Sequence, residues 1–298
     1  MTFGFMDADR RAGLARKVAG PLLELLERVV CPVCGVDDTT APVFGKGGLD
    51  FVRCYGCGLL HQNPQLLPEV QTVLYRRSDA GRERVQARER GWNVEVKYGP
   101  GLEALGEPGR LLDVGCGTGQ FLDLAAERGW GVDGVEPGPA IVAAEAAGHY
   151  VRSDISSAGD AVYDAVTLWG VLEHLADPGE MLGEVHRLLK PGGRALFFVP
   201  NGDSLILRLM RGANSTVSWQ HLWYFGPGQL RKLLVKHGFE VEREFTVLPQ
   251  FAEVRHWLRY GQPYEELEVE DGFDLPVLED WITRSKLGFK LITIGRKV

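Results

Sequence analysis

Residues 110–121 read RLLDVGCGTGQF, an apolar strand that runs into a glycine turn and then into a helix. Gly115, Gly117 and Gly119 remove side chains at the carboxyl end of that strand, so a ligand can lie against the backbone there. A dinucleotide fingerprint needs its third glycine five residues after the first, and position 120 is Gln. The GxGxG spacing therefore fails that fingerprint. About twenty residues further on, Glu136 ends the next strand, GVDGVEP (131–137). Folds of this type place an acid there to accept hydrogen bonds from both hydroxyls of a ribose.

Outward from this loop, short β-branched or apolar runs alternate with helical stretches. TGQFLDLAAERG, PAIVAAEAAG and DPGEMLGEVHRLLK read as helices, each stopped by Gly or Pro-Gly. HYVRSD, YDAVTLWG and RALFFVP read as strands between and after them. Such alternation predicts an α/β, doubly wound fold with a mostly parallel sheet covered by helices on both faces. Residues 201–226 break the rhythm. The helix GPGQLRKLLVKHG, the strand FEVEREFTVL and the closing strand LGFKLITIGRKV restore it, and a long insert, 249–286, separates those last two strands. That insert contains the acidic run EELEVEDGFDLPVLED, 265–280.

DVGCGTG, the acidic VEP, SDI at 153–155 and YDAVTLWGVLEHLADP follow one another in the order of the motifs of class I S-adenosylmethionine (SAM)-dependent methyltransferases. The chain resembles that family over about 110–200. HLWYFGPGQLRKLLVKHGFEV, after a strand ending in VPN, is similar to its bacterial small-molecule, ubiquinone-biosynthesis-like branch. The resemblance implies a seven-stranded sheet whose last strand is antiparallel. It also implies that Asp113 and the three glycines hold the methionine and ribose part, and that Glu136, with Pro137 beside it, binds the ribose. Asp154 would take the adenine amino group, Ile155 the adenine face, and Leu168, Trp169 and Gly170 would border the sulfonium. In the quinone O-methyltransferases the corresponding motif reads ExxEH and is associated with a divalent cation; here Gly170 replaces the first Glu. Glu173 and His174 are accordingly read as residues of a helix start rather than as ligands.

The five cysteines comprise Cys116 in the glycine loop and two CxxC pairs, Cys31/Cys34 and Cys54/Cys57, nineteen residues apart. Each CxxCG turn presents two thiolates from one tight knuckle, and four soft ligands complete a tetrahedral Zn(II) shell. The expectation is a closed, structural zinc ribbon, with Cys116 a small packing residue.

Methyl transfer to a hydroxyl or carbon acid needs alignment, dehydration and a base. His221, in SWQHLWYF, is the preferred base, with Tyr224 and His174 as further acid–base candidates and Trp223 shaping the pocket. His149, His186 and His237 are read as structural.

At 298 residues, with 45% hydrophobic and 24% charged residues, the chain suits one large domain plus a small accessory module. The division expected is an N-terminal helical segment (1–30), the ribbon (31–64), a helical connector or lid (65–104) and the methyltransferase domain (105–298), with 201–226 and 249–286 as lid and insert. A net charge of −7 argues against a general nucleic-acid binder. Arg76, Arg77, Arg82, Arg84, Arg88 and Arg90, interrupted by Glu83 and Glu89, read as a solvated helix face. The start lacks a signal-like apolar centre, so the expected location is the cytoplasm. The function expected is methyl transfer from SAM to a small-molecule acceptor, at oxygen first. The alternatives are an RNA methyltransferase docking through the ribbon and a non-catalytic SAM-binding scaffold.

Overall fold

The computed structural model describes residues 25–37, 42–78, 93–261 and 276–298. The helical pattern before residue 25, the arginines from 82 to 90, Trp92 and the acidic run up to 275 lie outside the described residues.

The N-terminal part is a small antiparallel sheet of β1 (Phe44–Lys46), β2 (Leu49–Arg53) and β3 (Leu60–Gln62). Helix α1 (Pro68–Ser78) follows, carrying Arg76 and Arg77; later come a wide helical turn, Asn93–Tyr98, and α2 (Gly99–Leu105). The expected connector is thus helical at both described ends.

The large sheet contains β4 (Arg110–Val114), β5 (Gly131–Val135), β6 (Val151–Arg152), β7 (Tyr163–Trp169) and β8 (Leu189–Pro200). Its helices are α3 (Gln120–Glu127), α4 (Ile141–Ala146) and α5 (Pro178–Leu188). Asp177 caps α5, its Oδ1 accepting from the Gly179 and Glu180 amides at 2.8 and 3.1 Å, with Pro178 in the first turn. Then come α6 (Leu205–Met210), β9 (Trp223–Tyr224), α7 (Pro227–Lys236), β10 (Phe239–Val247), α8 (Phe251–Tyr260), α9 (Pro276–Arg284) and β11 (Lys290–Lys297).

Seven strands lie in the order β10-β11-β8-β7-β4-β5-β6. Every pairing from β8 to β6 is parallel, and β11 runs antiparallel to both its neighbours. This is the doubly wound, mostly parallel sheet expected, with its last strand reversed. Period-two alternation buries both faces: Val166, Leu168, Phe197 and Val199 pack on one side, and Ala165, Trp169, Leu196 and Phe198 on the other.

One pairing was not expected. β9, from the irregular stretch, adds to the edge of the small sheet, with Trp223 opposite His61 and Tyr224 opposite Leu60. Cys31, Val33, Cys54 and Leu59 accordingly share one apolar core with Leu222, Trp223, Phe225 and Leu230. The cysteine-bearing segment is built into the larger domain rather than tethered to it. No helix among the described residues is long and apolar enough to cross a membrane.

Candidate active site

A cavity of about 510 Å³ opens at the carboxyl ends of β4, β5 and β7, within the ~300–1,000 Å³ of small-molecule sites. The glycine loop forms one wall. Gly115 sits at φ +74°, and a Cβ there would stand 2.7 Å from Val171 Cγ2, so no other residue fits without displacing the opposite wall. Glu136 is fixed at the rim: its two carboxylate oxygens accept from the Gly117 amide at 2.9 Å and the Gly138 amide at 2.7 Å. A carboxylate so oriented keeps lone pairs for a diol, which is the fit a ribose requires. Pro137, Asp154 and Ile155 continue the wall, with Trp169 and Gly170 across from them. Asp154 Oδ1 accepts from the Ser156 amide at 2.9 Å, which holds its carboxyl below the ordinary range.

Three of the expected cofactor residues do not line this cavity. Asp113 is 2% exposed beneath the loop, where Thr167 Oγ1 donates to it at 2.7 Å. Leu168 points into the sheet core. Gly119 faces His149, whose Cδ2 would lie 2.8 Å from an added Cβ. His149 itself is held by Asp123 at 2.8 Å.

Burial pushes the Asp113 carboxyl up to about 7, against the pull of the Thr167 hydroxyl and of Lys97. Between the ordinary value of 3.8 and about 7, the unfolded chain has released this proton while the folded chain keeps it. Folding then takes up a proton, and stability falls as pH rises through that window. The thermal midpoint of the ligand-free protein is expected to drop from pH 5 to pH 8, with a shallower drop in Asp113→Asn. An equal slope in the two proteins would contradict this.

The acid–base candidates separate cleanly. His174 lines the cavity, and His221 packs edge-on against it with ring centroids 4.7 Å apart. Each Nδ1 faces a carbonyl, Gln220 O at 2.8 Å for His174 and Thr216 O at 2.6 Å for His221. A carbonyl only accepts, so each Nδ1 carries the hydrogen and each neutral ring has its lone pair on Nε2. Tyr224 is fully buried; its hydroxyl donates to Thr216 O at 3.2 Å and accepts from the Ser218 amide at 3.3 Å, and it does not line the cavity. Its place is in the core beneath the small sheet, beside Phe51.

Glu173 is an addition to the expected set. The Leu222 amide donates to Glu173 O at 2.8 Å, which brings the 172–174 turn and the HLWYF segment together. The donor atoms of Glu173, His174 and His221 all lie within 4.8 Å of one another, a set able to move a proton or to hold a divalent ion. Gly170 explains the missing glutamate of the ExxEH pattern: it adopts φ +74°, a conformation strained for any side chain, while its amide donates to Phe198 O at 2.8 Å.

The two CxxC turns meet. Cys31 and Cys57 Sγ are 3.6 Å apart, Cys34 and Cys54 Sγ 3.4 Å, and all four lie within 4.8 Å of one another. A tetrahedron of ~2.3 Å Zn–S bonds has edges of roughly 3.8 Å, so the donor set fits. Both knuckles close in the same way, the Gly35 amide donating to Cys31 O at 2.8 Å and the Gly58 amide to Cys54 O at 2.7 Å. Burial pushes the Cys31 thiol up and the Cys57 thiol up to about 11, whereas Cys34 is lowered, its slight burial outweighed by the Val36 amide and the neighbouring thiols. Cys116 is buried against Leu122 and Val151, as a packing residue should be.

The fold and this cavity define a SAM-dependent methyltransferase domain. The family model described as "Methyltransferase domain" matches residues 88–244, and the chain belongs to that family. A Mycolicibacterium smegmatis protein, named in part "probable S-adenosylmethionine-dependent methyltransferase", is 33% identical over 167 residues, 54% of this chain and 63% of its own length. A ubiquinone biosynthesis O-methyltransferase of Pseudomonas syringae pv. tomato is 36% identical over 104 residues, 31% of this chain and 44% of its own length. The chain thus spans less than two thirds of these curated relatives. A crystal structure of a SAM-dependent methyltransferase from Thermotoga maritima superposes with a TM-score of 0.55 at 21% identity, over 76% of this chain and 100% of that one, which shows the shared fold.

Proposed function

We propose that this chain transfers a methyl group from SAM to an oxygen of a small-molecule acceptor, and that a structural Zn(II) held by Cys31, Cys34, Cys54 and Cys57 braces the acceptor side of the site. The observation that carries the reading is Glu136, held by two amides at the rim of a cavity floored by the glycine loop. In this reading Glu136 binds the ribose hydroxyls, Asp154 and Ile155 hold the adenine, and Gly115, Gly117, Trp169 and Gly170 enclose the methionine end. Bound SAM supplies an electrophilic methyl on sulfonium for in-line displacement. The protein aligns the acceptor, keeps water out and removes the hydroxyl proton. His174 Nε2 takes that proton, and His221 behind it orients the ring. Asp113 acts through the loop above it and Tyr224 through packing. The name of the Pseudomonas relative supports oxygen as the acceptor atom, and the net charge of −7 favours a small molecule over nucleic acid.

Glu136→Ala removes a charge-assisted pair of ribose contacts and frees the Gly117 amide. S-adenosylhomocysteine affinity is expected to fall by roughly 1.5–3 kcal/mol, about ten- to a hundred-fold. Unchanged affinity by calorimetry would place the ribose elsewhere. The acceptor is found by incubating the protein with methyl-labelled SAM and an extract of the source organism, and identifying the product. Label in a small molecule supports this reading; label in RNA, or none at all, rejects it.

A further inference from the structure

One wall of the cavity comes from outside the large sheet. Pro68, Gln71 and Thr72 line it, residues at i, i+3 and i+4 on one face of α1. The helix is tied down where it starts: Gln65–Leu66 pairs with Leu26–Glu27, and the Leu67 amide donates to Leu25 O at 2.8 Å. Gln71 is 6% exposed, and its Nε2 donates to the backbone O of His174 at 3.2 Å. A carbonyl only accepts, so that bond fixes which way round the side-chain amide sits. Oε1 is left as its free end, and no described residue donates to it. Thr72 differs, its hydroxyl hydrogen being spent on Pro68 O at 2.8 Å. A nearly buried amide oxygen costs free energy unless water or a ligand supplies a donor. Among the described residues, the carboxylates lining the cavity are Glu136 and Asp154, and neither lysine nor arginine lines it. Carboxylates without a lining cation disfavour an anionic ligand. Val171, Leu175 and Met181 add apolar surface.

We propose that Gln71 is a specificity-determining residue of the acceptor site, whose Oε1 takes an O–H or N–H of an uncharged, largely apolar acceptor, a group other than the hydroxyl that is methylated. The inference rests on the reading of this cavity as the SAM site with His174 at the reacting hydroxyl. Because the Gln71 amide is bonded to the backbone of His174, the donor it reads lies close to the methylated oxygen. A site built around such a bond rejects an analogue that lacks the donor, since the amide oxygen then stays unpaired.

Resorcinol and hydroquinone, each with its monomethyl ether, and 3-hydroxybenzoate are titrated onto S-adenosylhomocysteine-saturated wild type, Gln71→Met and Gln71→Glu. Each ether keeps one hydroxyl for His174 and lacks only the second donor. In wild type at least one diphenol should bind saturably and about ten-fold or more tighter than its ether, with 3-hydroxybenzoate weaker than resorcinol. Gln71→Met, similar in size, should bring diphenol and ether within about two-fold of each other and leave S-adenosylhomocysteine affinity within about two-fold, with a cooperative thermal transition reporting the fold. Gln71→Glu keeps an accepting oxygen but cannot donate to His174 O, so it should retain the preference; Gln71→Met carries the test should Gln71→Glu not fold. A wild type that binds ether as well as diphenol, or 3-hydroxybenzoate tighter than resorcinol, overturns the proposal while leaving the SAM site standing. So does a folded Gln71→Met that keeps the preference, or a folded Gln71→Glu that loses it, which would trace the effect to the bond with His174. A folded Gln71→Met that loses S-adenosylhomocysteine affinity assigns Gln71 to the cofactor instead. Failure of wild type to bind S-adenosylhomocysteine overturns both readings.

Discussion

His174→Ala is expected to lower turnover at saturating acceptor by about 10²–10⁴-fold while leaving S-adenosylhomocysteine affinity nearly intact. The expectation follows from the position of the ring on the cavity wall and from its tautomer. With Nδ1–H given to Gln220 O at 2.8 Å, the lone pair that can take a proton is on Nε2. His221→Ala tests the supporting ring, which packs edge-on at 4.7 Å without lining the cavity. A positioning role shifts the pH profile of turnover and is partly restored by Asn, which can still donate to Thr216 O. A packing role changes stability or acceptor KM alone. Full turnover in His174→Ala with an unshifted pH profile would remove the base from this pair and leave Glu173 as the group nearest to hand.

Cys54→Ser should have the largest structural effect. Structural zinc sites in small domains are worth about 10–16 kcal/mol of apparent binding free energy, and loss of one thiolate forfeits much of it. Because β9 completes the small sheet, the consequence reaches beyond the ribbon. Gln62 Nε2 donates to Ser218 O and His221 O at 2.8 and 2.7 Å, and Trp223 Nε1 donates to Leu175 O at 2.7 Å. Loosening β3 therefore releases the segment that presents His221. Elemental analysis is expected to find one zinc per wild-type chain and less in the variant. Amide exchange should accelerate together in residues 60–62 and 222–225. Faster exchange confined to residues 31–62 would show a ribbon that folds independently, and zinc-free wild type with four reactive thiols would refute the metal assignment.

What was legible in the sequence is what short range decides. The glycine loop, the acid ending the next strand and the paired CxxCG knuckles each occupy a few consecutive residues whose chemistry depends on their spacing. The seven-stranded order followed from resemblance, and the β–α rhythm agreed with it. What was not legible depends on contacts over long separations. Nothing local in HLWYF says that Trp223 pairs with His61, yet that pairing turns Tyr224 inward to Thr216 and Ser218 and places His221 behind His174. Gly119 reads with the other two glycines of the GxGxG loop, and its close approach to His149, 2.8 Å from an added Cβ, carries no signal in the sequence.

The central claim, that the glycine loop and Glu136 build a SAM site, is tested most directly by calorimetric titration of zinc-replete wild type with S-adenosylhomocysteine. The account predicts saturable binding at one site per chain, displaced by SAM and weakened by Glu136→Ala. A folded, zinc-bound protein that takes up neither molecule would contradict it.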